Sequence, residues 1–209
     1  MRHSLRAEGF HIRLRPVEME DAAFILWLRN LDYVKGKVGD TPTDVASEEA
    51  WLRAYFERDG DCYFVAETLG GIPVGTNGIY DVLGTTAETG RFIIHTSVPA
   101  AVPTSFLTFD LAYGEMGLSQ LRGTAVASNR KVHSYLRRLG FRQAKVERAG
   151  RVIGGHPIDM LHFVQDAKDW FEVRQRIIPL ARLAGTRIQE WERAYFQKGT
   201  PQGLVTEIG

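Results

Sequence analysis

The chain has 209 residues, of which 24% are charged and 44% hydrophobic, and its 26 Lys and Arg nearly balance its 25 Asp and Glu for a formal charge of +1. The basic residues are scattered, which gives no electrostatic footprint for nucleic acid or an anionic membrane surface, and no apolar run approaches the ~18 residues of a membrane span. A single cysteine, Cys62, excludes an internal disulfide framework and a cysteine-built zinc site, so a small molecule is the expected partner. The N-terminal MRHSLRAEGF lacks the apolar core of a secretory signal, which makes cytoplasmic residence the expectation.

Taken in order, His11 to Arg15 alternates apolar and basic residues before Pro16 and predicts a first strand. Glu18 to Asn30 predicts a helix with Ala22, Ala23, Leu26, Trp27 and Asn30 along one face and acids in its first turn, where they suit the dipole. Leu31 to Ala46 follows neither period and reads as a loop, of a length that often serves function. Ser47 opens Ser-x-x-Ala ahead of Trp51, Leu52, Tyr55 and Phe56, which predicts a second helix ending near Arg58. Strands are expected at Cys62 to Thr68 and Ile72 to Tyr80, joined at Gly70-Gly71, with Asp81 to Thr86 turning into another at 87 to 95. The long apolar stretch from Pro103 predicts a helix to Gly117, with Pro at its first position because the missing N–H would have no partner there.

A strand is expected at 121 to 127, then the clearest helix. Asn129 is its N-cap, Val132, Tyr135, Leu136 and Leu139 fall at i, i+3, i+4 and i+7, and Gly140 supplies a left-handed C-cap. Two more strands are read at Phe141 to Arg148 and Ile158 to Gln165, with breaks at Ala149-Gly150 and Gly154-Gly155, which brings the sheet to about seven strands. From Asp166 onward Trp170, Val173, Arg174, Ile177, Leu180, Ala181 and Ala184 form a helical stripe interrupted by Pro179, repeated by Ile188, Trp191 and Tyr195 beyond Gly185. That extension is free to pack on its own sheet or on a second subunit, so a homodimer is one expectation.

The segment from Asn129 to Phe141, ending Leu-Gly-Phe and preceded by a helix ending Gly-Leu and a strand, resembles the core of GNAT-type N-acetyltransferases. Glu-x-Gly-Arg-Phe at Glu88 to Phe92 is similar to the matching strand in the branch that acetylates amino groups of nucleotide-linked sugars. The resemblance covers roughly residues 11 to 166. It implies an α/β fold with a mixed sheet flanked by helices: an acyltransferase domain over 1–166, a helical extension over 167–198 and an unstructured tail over 199–209. It also implies acetyl-CoA as co-substrate and a primary amine as acceptor, an amino-sugar nucleotide being favoured.

By the same resemblance the donor's pantetheine arm would bond the backbone of Phe92, Ile93 and Ile94, and its diphosphate would sit on the helix N-terminus at Ala101, Thr104 and Ser105, with Asn129 and Lys131 nearby. The family's glycine-rich loop is absent, however. Thr96 to Ala101 keeps only its last small residue, and Pro99 removes an N–H donor. Either a remodelled site or a lost one would give this sequence.

Glu88 is the candidate base that takes a proton from the acceptor ammonium; a surface ion pair with Arg91 and Arg122 explains it equally. Tyr135 is the candidate acid, but it lies one residue before the family's tyrosine position, taken here by Leu136, and could instead fill the core. His95 reads as a loop hydrogen-bonder and Cys62 as a small core residue. The six histidines lack paired ligand spacing, so no metal is expected. The reading is therefore an N-acetyltransferase; the alternative is a catalytically silent module of the same fold that binds a ligand or a protein.

Overall fold

The computed structural model describes residues 3–39 and 41–197; the tail expected to lack structure lies outside them. One eight-stranded sheet runs in the order β1 (Ala7–Gly9), β2 (Ile12–Pro16), β3 (Cys62–Thr68), β4 (Pro73–Leu83), β5 (Thr86–Ile94), β6 (Gln120–Val126), β8 (His156–Asp166), β7 (Arg142–Ile153). Every pairing is antiparallel except β5 with β6. The strand missing from the sequence reading is β1, three residues long and too short to display a period.

Alternation along β3 divides the interior. Phe64 and Ala66 point into a large core with α3 (Ala101–Asp110), α4 (Arg130–Arg138) and α5 (Ala167–Gln197), while Tyr63 and Val65 point into a smaller one with α1 (Ala22–Arg29) and α2 (Val45–Phe56). Helix α1 buries Phe24, Ile25 and Leu28 beside Ala22 and Trp27, whereas Ala23 and Leu26 are half-buried and Asn30 is exposed. AAFILWLR is apolar nearly all round, so its period does not select a face. Helix α2 starts at Val45, because the Asp44 carboxylate accepts from the Ser47 N–H at 2.8 Å; Asp44, not Ser47, is the cap.

Helix α3 begins two residues before Pro103, which still lies within the first turn, where N–H groups have no intrahelical partner. It ends at Asp110 in a π turn over Leu111–Glu115. Asn129 and Gly140 (φ 97°) bound α4 as the sequence predicts. The expected break at Ala149-Gly150 is a bulge inside β7, and the true turn is Gly154-Gly155, with φ of 56° and 77°.

Helix α5 is unbroken over 31 residues. Pro179 sits on its exposed side, and the carbonyl that lost its helical partner belongs to Gln175, an exposed residue. Gly185 is buried, and a side chain has no room there, because a Cβ would stand 2.8 Å from the Phe10 carbonyl oxygen. The helix folds back on its own sheet. Trp170 is fully buried and its indole N–H donates to Asp110 at 2.9 Å, and Ile177 and Ile188 join the large core. Leu180, expected in that stripe, is 53% exposed. Among the described residues no helix is long and apolar enough to cross a membrane.

Candidate active site

The site is a fork in the sheet. Strands β5 and β6 pair only at Thr86↔Gln120, Ala87↔Leu121 and Glu88↔Arg122, then part. The parting coincides with a bulge: Gly78 faces Gly90 and Thr76 faces Ile93, so three steps of β5 match two of β4, and Arg91 between them takes φ 52°. Side chains change face across it. Ala87 points into the large core and Ile93 into the small one. From Thr89 to Ile94 the β6-facing backbone of β5 has no strand partner.

A cavity of about 700 Å³ fills the fork. Phe92, Ile93 and Ile94 of β5, Ala101 and Ser105 of α3, and Asn129, Lys131 and Tyr135 around α4 all line it, so eight of the ten residues singled out in the sequence converge. The other two do not. Thr104 is fully buried and outside the lining. Glu88 stands beside it, 3.7 Å from Arg122 and directly across from Tyr80, which is a lining residue.

The Tyr135 hydroxyl donates to the Ala101 carbonyl at 2.9 Å and lies 2.8 Å from the Ser105 hydroxyl, with its ring stacked on Phe92. Burial pushes the phenol well above its ordinary range. It ties α4 to the first turn of α3 rather than simply filling the core. Asn129 caps α4, its side-chain oxygen accepting from the Val132 N–H. His95 stacks on Trp27 and bonds the Ser97 hydroxyl at 2.6 Å.

Arg91 does not pair with Glu88. Its guanidinium grips Asp61, at the head of β3, with Nη2 2.8 Å from Oδ2. The segment read only as a loop supplies one wall through Tyr33, Lys37 and Gly39, and Tyr33 donates to the Ile94 carbonyl at 3.0 Å. Arg29, Lys37, Arg91, Lys131 and Arg151 all reach the lining, and none of its described residues is Asp, Glu or His. Five separate segments contribute these cations, and of the five only Lys131 is expected at the site from the sequence. Among the described residues no cluster of three metal-ligating side chains exists.

No protein-family model and no curated protein matches the chain. Solved structures do. A GCN5-related N-acetyltransferase from Brucella melitensis aligns with a TM-score of 0.74 at 18% identity, covering 86% of each chain. The apo form of FdhC, a nucleotide-linked sugar GNAT, aligns at 0.70 and 23% identity over 86% of this chain and 98% of the other. A mutant of the spermidine N-acetyltransferase SpeG from Vibrio cholerae aligns at 0.67 and 17% identity over 78% and 97%. The forked mixed sheet, with α3 crossing between its two parallel strands, is thus the fold of the GCN5-related N-acetyltransferases.

Proposed function

We propose that the protein transfers acetyl from acetyl-CoA to a primary amine carried on an anionic small molecule, an amino-sugar nucleotide being the favoured class. The observation that carries this reading is the fork itself. The unpaired edge of β5 offers backbone N–H and C=O groups to an extended pantetheine arm, as an added strand would use them. The N–H groups of Ala101 and Val102 in the first turn of α3 attract the diphosphate, and Lys131 adds charge. Pro99 and Pro103 cost donors but stiffen the loop, so less conformational freedom is lost on binding.

Acetyl-CoA held there supplies a thioester carbonyl open to attack by a neutral amine. The C–N bond forms as the C–S bond breaks, and the amine's proton must leave. Glu88 is the proposed acceptor of that proton through a water beside Tyr80, since its carboxylate stands just outside the lining. Tyr135, with its proton committed to Ala101, positions the α3 terminus, and the thiolate leaves with a proton from water.

The cationic lining separates acceptor classes. A polyamine would meet Lys37 and Arg151 in a lining that holds no Asp or Glu among the described residues, a repulsion of order a kcal/mol or more per charge pair at short range. A phosphorylated amine meets attraction. Thiol release from acetyl-CoA, measured against a panel of amino-sugar nucleotides, spermidine and N-terminal peptides, tests the reading. Turnover with the sugar nucleotides above the others supports it, and turnover with spermidine alone overturns the acceptor class.

A further inference from the structure

We propose that Arg91, clamped by Asp61, is a positioning residue that holds the β5 bulge and so keeps the edge of β5 open to the cavity. A side-chain-bearing residue at φ 52° is disfavoured, and glycine would sit there without strain. The position nevertheless carries an arginine, and that arginine is tied at both ends. Its carbonyl accepts from the Thr76 hydroxyl of β4 at 2.8 Å. Its guanidinium engages both carboxylate oxygens of Asp61 and is ringed by Tyr80, Tyr63, Trp51 and Tyr55, with centroids 4.5, 5.1, 5.4 and 5.8 Å away.

The clamp is itself braced. Asp61 is only 8% exposed, and the Tyr55 hydroxyl accepts from the Tyr63 N–H at 2.9 Å while donating to the Asp61 carbonyl at 3.3 Å. An anchor in the turn between α2 and β3 therefore reaches across the sheet to the residue at which β5 changes face. Delocalised charge, a two-toothed grip and stacking on rings are properties of arginine that lysine lacks. The competing cause is the backbone alone, because Gly75 lets β4 approach the Ile93 carbonyl oxygen to where a Cβ would stand 2.5 Å away. The two causes make opposite forecasts for one substitution. Arg91→Gly relieves the φ strain and removes the clamp, so it improves the bulge if the backbone sets it and loosens the bulge if the side chain does.

The test reads hydrogen exchange at the amides of Ile93 and His95, which face β4 beyond the bulge, His95 donating to the Val74 carbonyl at 2.9 Å, in ligand-free protein, with Phe64 and Val65 of β3 as the reference for global opening. Arg91→Gly and Asp61→Asn are expected to speed exchange at Ile93 and His95 at least tenfold more than at 64–65, and Arg91→Lys to fall between them and the parent. Parent-like or slower exchange at Ile93 and His95 in Arg91→Gly overturns the proposal, and so does equal loosening of β3 and β5 in Asp61→Asn, which would make the pair a stability element only. Should Arg91→Gly not fold, Arg91→Lys decides, with parent-like exchange again the overturning result. A second arm rests on the acetyltransferase reading: the same variants should weaken acetyl-CoA binding at least tenfold by calorimetry and lower kcat more than they raise the acceptor KM. Unchanged donor affinity in variants with loosened exchange at Ile93 and His95 overturns the link to the cavity. A parent that binds no acetyl-CoA defeats the functional reading and leaves the exchange arm to judge the clamp.

Discussion

Ala101→Glu places a carboxylate on the cavity wall at the first residue of α3, where the proposed diphosphate would lie. With a charge of roughly −2 about 7 Å away and an effective dielectric of about 20, the unscreened repulsion is about 5 kcal/mol. A Debye length of about 8 Å at physiological ionic strength reduces it to about 2 kcal/mol, or a roughly thirtyfold weaker Kd. The fold should not suffer, because an acid in a helix's first turn is favourable by about 0.3–1 kcal/mol and the Tyr135 bond is to the Ala101 backbone. Calorimetry of acetyl-CoA binding at low and at ~0.5 M salt separates charge from bulk, since only an electrostatic penalty shrinks with screening. Ala194→Glu, exposed on α5, is the control. Parent-like affinity of Ala101→Glu at low salt would refute the placement of the diphosphate.

Glu88→Gln should lower kcat by roughly tenfold or more without changing acetyl-CoA affinity; a kcat matching the parent's reassigns Glu88 to its pair with Arg122. Trp170→Ala, at a fully buried site, should cost about 3–5 kcal/mol in urea unfolding, whereas Leu183→Ala, 52% exposed, should stay within about 0.5 kcal/mol; equal losses would contradict the seating of α5. Burial would raise the Glu192 carboxyl, but bonds from Thr68, His11 and the Gly70 N–H outweigh it and hold the group below its ordinary 4.5. A depressed carboxylate stabilises above the unfolded value and loses that contribution as pH falls through the folded one. The stability gap between parent and Glu192→Gln should therefore narrow between pH 7 and pH 3; a gap that widens would sink this assignment.

What could be read in the sequence was local. Asn129 and Gly140 bound α4 because cap, period and left-handed stop all lie within thirteen residues, and Gly70-Gly71 marks its turn for the same reason. What escaped depends on distance. The Arg91–Asp61 clamp joins residues 30 apart, and the bulge it accompanies leaves no signature in a nine-residue strand. Pro179 and Gly185 read as breaks in α5, yet the first falls on the exposed side of the helix and the Phe10 backbone demands the second, so tertiary context overrides propensity. Glu88 was legible as a carboxylate on the right strand, but not its seat beside the cavity, because β5 changes face only after it.

Titration of acetyl-CoA into the purified protein asks whether this fork holds the donor despite a loop without glycines. One site per chain is predicted, with a Kd of ~10–1,000 µM, displaced by CoA and accompanied by thermal stabilisation that adenosine does not produce. No heat and no stabilisation at millimolar acetyl-CoA would mean that the fork does not hold the donor.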